Sequence, residues 1–360
     1  MDNASCSSSV LSLCPSAVSL FFLPSVYTLL FLTTLPGNAI SLWVFLRYIS
    51  TISPTHVYLS HLSISNLMLS LTMPFLAAYY AWGSVWTLSG VLCQLVLHGV
   101  TPVLHINIYI SLMILTLVAL SRFAALIQHT HASRPSACTT LLPHGFFSCL
   151  RRKSFACRMC STVWVVAVGG IVPVTVYYSA NEAVRGNAAA AGRDGEAETG
   201  QCAEVCYNPA VEQGGSLSAA FSVLLSTIFF VLYLLVLLSY MTVLRHIRRS
   251  CRSTNVTTNI TTSHGLLGRV HRNIMLIQVV LSVCLLPYHI FKPIFISRAR
   301  DQRLLTYSPD PDTCHPLSTF IELKNCLLLL AALRGSTDPL MYFLLDKTFR
   351  HQTLRLLRCN

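Results

Sequence analysis

Acidic residues are scarce in this chain: 13 Asp and Glu in 360 residues against 25 Lys and Arg, with all four charged types reaching only 11%. Soluble domains average about 25% charged residues, so a water-facing globular surface is excluded. Apolar residues take their place, at 53% of the chain and a mean hydropathy of +0.60. Other absences narrow the class further. No HExxH, no paired intramembrane aspartates and no Ser-His arrangement support a membrane-embedded enzyme. No internal repeat and no inverted pair of broken helices appears, which disfavours a transporter. The first 15 residues lack the basic stretch that opens a secretory leader, so the first apolar run is expected to span the membrane and stay as an anchor.

What is present is a set of long apolar runs. A bilayer-crossing helix needs about 20 mainly apolar residues. Seven stretches qualify, roughly 16–45, 56–82, 93–126, 157–180, 216–244, 266–297 and 317–345. Helix is the required conformation, because lipid cannot satisfy open backbone groups. The expected fold is therefore an all-α membrane protein, a seven-transmembrane helix bundle. Residues 1–15 form an outer segment, 16–345 the bundle, and 346–360 a short amphipathic eighth helix and tail.

Orientation follows from the bases. With the N-terminus outside, 17 of the 25 Lys and Arg are cytoplasmic. Ten of the 13 acids are then extracellular, two lie in the seventh span, and only Asp346 is cytoplasmic. The net charge of +12 is thus an inner-face feature suited to anionic lipid and an acidic protein partner, not to nucleic acid. Asn3-Ala4-Ser5 is a glycosylation acceptor on the outer side, while Asn255 and Asn259 match the same pattern on the inner side and should stay unmodified.

The 14 cysteines divide by compartment. Cys6, Cys14, Cys93, Cys202, Cys206 and Cys314 are outer and open to oxidation; Cys138, Cys149, Cys251 and Cys359 face the reducing cytoplasm. Cys157 and Cys160 form a CxxC without a second pair at zinc-ribbon spacing, so no metal or cofactor is expected. In the tail, DKTFRHQTLRLLR places Phe349, Leu354 and Leu357 near one helical face, and Cys359 directly after it is a palmitoylation candidate. The third inner loop is expected over 248–272.

One short segment stands out. RGSTDPLMY (334–342) interrupts an apolar run, and intramembrane ionisable residues are functional-site hypotheses by default. Arg334 and Asp338 are spaced i,i+4, so they can pair on one helical face.

Several motifs together resemble the rhodopsin-like G-protein-coupled receptors. They are Gly37-Asn38 in the first span, LSISNL (62–67) in the second, Ser121-Arg122-Phe123 where that family has Asp-Arg-Tyr, Trp164, Tyr240, Pro287, and Asp338-Pro339-Leu340-Met341-Tyr342 in the seventh. CLLPYHIFK (284–292) further resembles the purinoceptor-like branch, whose sixth helix reads Pro-Tyr-His-x-x-Arg/Lys.

The resemblance implies a receptor that passes an extracellular or constitutive signal to a heterotrimeric G protein; it does not identify the ligand. It implies a disulfide from Cys93 to Cys206, with Cys202 as competitor, and a second from Cys6 or Cys14 to Cys314. It implies an outer ligand site involving His105, Tyr109, Tyr288, His289, Lys292 and Lys324, with an anionic small molecule as one class. Against that, Lys292 and Lys324 can equally snorkel to the interface or pair with Glu322. It implies a cytoplasmic switch of Arg122, Tyr240, Asp338, Pro339 and Tyr342.

This chain also departs from the family pattern. Ser121 replaces the acid that restrains the arginine, Leu285 and Leu232 replace transmission residues, and Asn66 stands where relatives carry the aspartate of a sodium site. Beside Asn38 and Asn66, Arg334 and Asp338 imply a cation supplied by the protein itself; a purely structural ion pair is the alternative. The same departures keep open a receptor-shaped membrane partner that does not signal.

Overall fold

The computed structural model describes residues 16–50, 52–83, 99–133, 149–174, 176–177, 216–252, 261–299 and 317–358. After a π-helical turn at Val18–Phe22 comes α1 (Leu23–Arg47), then α2 (Pro54–Ala81), α3 (Thr101–Ser133), and α4 (Lys153–Val166), which runs on through a π-helical turn at Ala167–Ile171. Next are α5 (Ser216–Arg252) and α6, built of Thr261–Val280, a π-helical turn at Leu281–Leu285, and Leu286–Ala299. Last come α7 (Ser318–Leu345) and α8 (Lys347–Arg358). Among the described residues seven helices are long and apolar enough to cross a membrane.

Local chemistry accounts for several boundaries. α2 starts with Pro54, whose missing N–H is harmless in a first turn. Ser53 caps it: its Oγ accepts the His56 amide at 3.3 Å, and His56 Nδ1 accepts the Ser53 amide at 3.2 Å, a capping box with histidine in the usual Glu or Gln position. The π-helical turn in α6 directly precedes Pro287, which has no N–H to continue the regular ladder. α7 stops at Asp346, whose extended backbone (φ −119°, ψ 113°) breaks the helix, and α8 starts at once because the same carboxylate accepts the Phe349 amide at 3.0 Å.

Burial orders the bundle. Some 72% of the α3 span is buried against 22% for α5 and 24% for α4, so α3 is the central post and the other two face outward. Hydroxyls on outward faces fold back onto their own helix. Thr33 and Thr227 each donate to the carbonyl four residues earlier at 2.9 Å, leaving no unsatisfied donor toward lipid. α1 packs closely along α2 and α7. Glycine permits the second contact: a Cβ on Gly37 would sit 3.2 Å from Pro339 Cγ, and one on Gly335 would sit 3.3 Å from Thr34 Cγ2.

One expectation is corrected. α5 runs to Arg252 and α6 starts at Thr261, so much of the segment read as the third inner loop is helical. The apolar pattern ends where lipid ends, but a helix rich in Arg continues into water. On α8, Phe349 is buried, Leu354 is exposed and Leu356 packs against the core; the Leu357 side chain lies outside those described.

Candidate functional site

The polar segment of α7 lies inside the bundle. Arg334 is fully buried and donates three hydrogen bonds, from Nη1 to Asp338 Oδ2 (2.7 Å) and from Nη2 to Asn66 Oδ1 (3.2 Å) and Asn107 Oδ1 (2.9 Å). Asn66 Nδ2 donates to Asp338 Oδ2 (2.7 Å) and Asn38 Oδ1 (3.0 Å). Asn38 Nδ2 donates to the carbonyls of Thr34 and Gly335, both at 2.9 Å. Asn107 Nδ2 closes the set on Ser65 Oγ (2.9 Å) and Asn66 Oδ1 (3.3 Å). One network therefore joins α1, α2, α3 and α7 around a single guanidinium. Its charge balances that of Asp338, as a buried ion requires. Among the described residues, Arg334 Nε, Asp338 Oδ1 and Ser111 Oγ have no hydrogen-bond partner.

Toward the outer side, His289 is also fully buried. It stacks on Phe229 with centroids 3.8 Å apart, meets the Tyr109 ring edge-on at 5.9 Å, and hydrogen-bonds from Nδ1 to the Leu285 carbonyl at 2.9 Å. That bond fixes the proton on Nδ1 and leaves Nε2 as an acceptor without a partner among the described residues. Lys292 Nζ lies 5.7 Å from the Tyr288 ring centroid, and Lys324 Nζ lies 5.2 Å from that of Phe295. Lys324 is buried, and His105 is half-buried on α3. Glu322 accepts from the hydroxyls of Ser16 and Ser19.

At the cytoplasmic end, Tyr240 stacks on His271 at 5.4 Å, and Tyr342 is fully buried against Phe45. Arg122 is half-buried, and its Nε has no hydrogen-bond partner among the described residues. Asp346 hydrogen-bonds His56 Nε2 at 2.9 Å. Burial would raise the Asp346 pKa, but the bonds from His56 and the Phe349 amide, with the Arg122 charge nearby, hold it below the ordinary carboxylate value.

The structure thus brings Asn38, Asn66, Arg334 and Asp338 into direct contact, and gathers Tyr109, Tyr288 and His289 into one aromatic cluster. Cys6, Cys14, Cys93, Cys202, Cys206, Cys314, Asn3 and Cys359 lie outside the described residues. Cys157 is exposed and Cys160 buried, and no group of metal ligands occurs among the described residues. Sequence reasoning missed Asn107, His56 and the role of Asp346 at the joint. The Ser-Pro-Thr-His order at 53–56 was a usable capping signal for His56; nothing local marked Asn107.

A family model for the "7 transmembrane receptor (rhodopsin family)" matches residues 37–342. The chain is 36% identical to the human "Probable G-protein coupled receptor 82" over 339 residues, covering 93% of this chain and 92% of that protein. It is 23% identical to the "Probable G-protein coupled receptor 34" of Pan troglodytes, covering 93% of this chain and 75% of that one. The human "Uracil nucleotide/cysteinyl leukotriene receptor" is 24% identical, over 92% of this chain and 76% of its own length. Likeness of this extent means that the chain belongs to the rhodopsin family of seven-transmembrane receptors.

Proposed function

We propose that this receptor switches its G protein around an interior cation, Arg334, that is part of the chain. Family membership makes the protein a multi-pass plasma-membrane receptor that couples to heterotrimeric G proteins, and not an enzyme. The observation that carries the proposal is the guanidinium bonded at once to Asp338 on its own helix, Asn66 on α2 and Asn107 on α3. A monovalent cation brought to Asp338 would meet a positive charge already in place and no second carboxylate, so sodium is disfavoured electrostatically. Movement of α7 must break or carry those bonds, which ties the outer and inner halves of the bundle together. Arg122, Tyr240, Asp338, Pro339 and Tyr342 form the transmission end, with modest ligand-independent activity because Ser121 supplies no acid to Arg122.

The outer ligand belongs to the class of small anions. Lys292 and Lys324 lie in the outer halves of α6 and α7, both facing aromatic rings, and His105, Tyr109, Tyr288 and His289 supply polar and aromatic edges. A relative is named for uracil nucleotides and cysteinyl leukotrienes, molecules that carry phosphate or carboxylate.

The test is a panel of Gα subunits read by ligand-free dissociation, at verified surface expression, in sodium and in a large organic cation. A signal above vector, equal in the two media, is expected. No signal with any Gα, or a signal that sodium suppresses, overturns the proposal. For the ligand class, nucleotides and lipid carboxylates should activate the parent and lose potency in Lys292→Ala and Lys324→Ala; potency unchanged in both variants sinks that part.

A further inference from the structure

The joint between α7 and α8 is tied to two other helices. The carbonyl of Leu345, the last residue of α7, accepts from Asn273 Nδ2 of α6 at 3.5 Å. The next residue, Asp346, is buried, and its two carboxylate oxygens serve different helices. Oδ1 accepts the Phe349 amide at 3.0 Å and so caps α8, while Oδ2 accepts from His56 Nε2 of α2 at 2.9 Å. His56 is itself buried, and its other ring nitrogen is also in use: Nδ1 accepts the Ser53 amide at 3.2 Å. An imidazole that accepts at Nδ1 carries its proton at Nε2, so the bond to Asp346 has a fixed direction. Phe45 of α1 covers the pair. Its ring centroid lies 6.1 Å from that of His56, 5.8 Å from Tyr342 and 4.8 Å from Phe349.

We infer that His56 is a positioning residue for the receptor's switch: through Asp346 it latches the inner end of α7 and the start of α8 to α2. This rests on the receptor reading above and deepens it, because a switch that moves α7 must release the latch. One relay runs from the Ser53 amide through His56 and Asp346 to the Phe349 amide, and it serves the first turns of both α2 and α8. The two helix starts therefore cannot part without leaving a buried donor or acceptor unpaired. Tyr342 lies about one turn and Asp338 about two turns before the joint, so the latch holds the end of the segment that carries the switch. By the charge-based topology Asp346 is the sole acid on the inner side, and no other carboxylate there can replace it.

The direction of the bond supplies the test. His56→Glu keeps the α2 cap, since glutamate is a usual residue at that place in a capping box, but it sets a second carboxylate against Asp346. Asp346→Asn can keep the Phe349 cap through its amide oxygen, but it then turns an N–H toward the His56 Nε2 proton. Together the two substitutions reverse the bond: the introduced asparagine donates to the introduced glutamate, and both caps remain. In full-length receptor at matched surface expression, each single variant should raise ligand-independent G-protein dissociation about fivefold or more, the scale of a typical coupling between sites. The double variant should fall back toward the parent. Side chains that only cap their own helices predict singles equal to the parent, and a merely structural role predicts less signal, not more. Either of those results, or a double variant as active as the singles, overturns the inference. Should a single variant not reach the surface, the double must restore both display and the parent's signal, and failure to do so also overturns it. A parent that signals with unchanged single variants refutes the latch alone; no signal from the parent or any variant refutes the receptor reading with it.

Discussion

Replacing Arg334 by methionine is the sharpest perturbation the interior offers. The side chain is fully buried, so nothing from solvent can substitute for it. Its loss leaves Asp338 with the Asn66 amide as its donor at 2.7 Å and no cation. Removing one partner of a buried pair costs roughly 3–5 kcal/mol. Asn107 Oδ1 loses its guanidinium donor at 2.9 Å, while Asn66 Oδ1 retains Asn107 Nδ2 at 3.3 Å. One further buried acceptor thus goes unsatisfied, at about 1–3 kcal/mol, and because the two losses share a network they should sum to about 4–5 kcal/mol rather than add in full. Asp338→Asn strands the guanidinium instead and should cost about as much, again near 3–5 kcal/mol. The double variant removes both charges and should lose about 1–3 kcal/mol, because an absent buried pair is far cheaper than a broken one. Thermal unfolding of detergent-purified receptor, read by a thiol dye that reaches the buried Cys160 and Cys284 only on opening, measures all four corners of the cycle. Single variants costing under about 1 kcal/mol, or costs additive within about 0.5 kcal/mol, would refute the interior-cation account.

Three further outcomes follow from the same geometry. Thermal stability of the parent should be the same in sodium as in a large organic cation, whereas Arg334→Met combined with Asn66→Asp should gain sodium dependence; unfolding midpoints in the two salts decide it. Asn107→Leu should destabilise by about 1–3 kcal/mol through the orphaned Arg334 donor, measured in the same thiol assay. Because the folded pKa of Asp346 is depressed, its contribution is full above the unfolded carboxylate value of about 3.9 and is lost as pH falls through the lower folded value. Between about pH 5 and 8 Asp346 itself adds no slope, and the part of the parent minus Asp346→Asn difference that comes from its own titration should change as pH falls below about 4.

How much was legible in the sequence depended on the range of the signal. Seven spans could be read because lipid acts on every residue of a run, and the Arg334–Asp338 pairing because i,i+4 geometry is local. Asn107 gave no such sign: an isolated asparagine in an apolar helix becomes informative only when α3 is seen beside α2 and α7. Inner ends of α5 and α6 were misplaced because hydropathy marks the bilayer boundary and not the hydrogen-bond ladder. Asp346 was visible as the lone inner acid, yet its bond to His56 depends on where α7 ends.

Gly37 and Gly335 also bear on how the bundle can move. Where α1 meets α7, a proline ring rests on one glycine and a threonine methyl rests on the other, with no room for a Cβ at ordinary contact distance. The two backbones approach there with only one side chain between them at each glycine. Asn38 Nδ2 donates to the Gly335 carbonyl across the same seam at 2.9 Å, so the two helices are tied there as well as packed. The seam therefore sets the distance between α1 and α7, and a methyl added at Gly37 would have to push the Pro339 ring away.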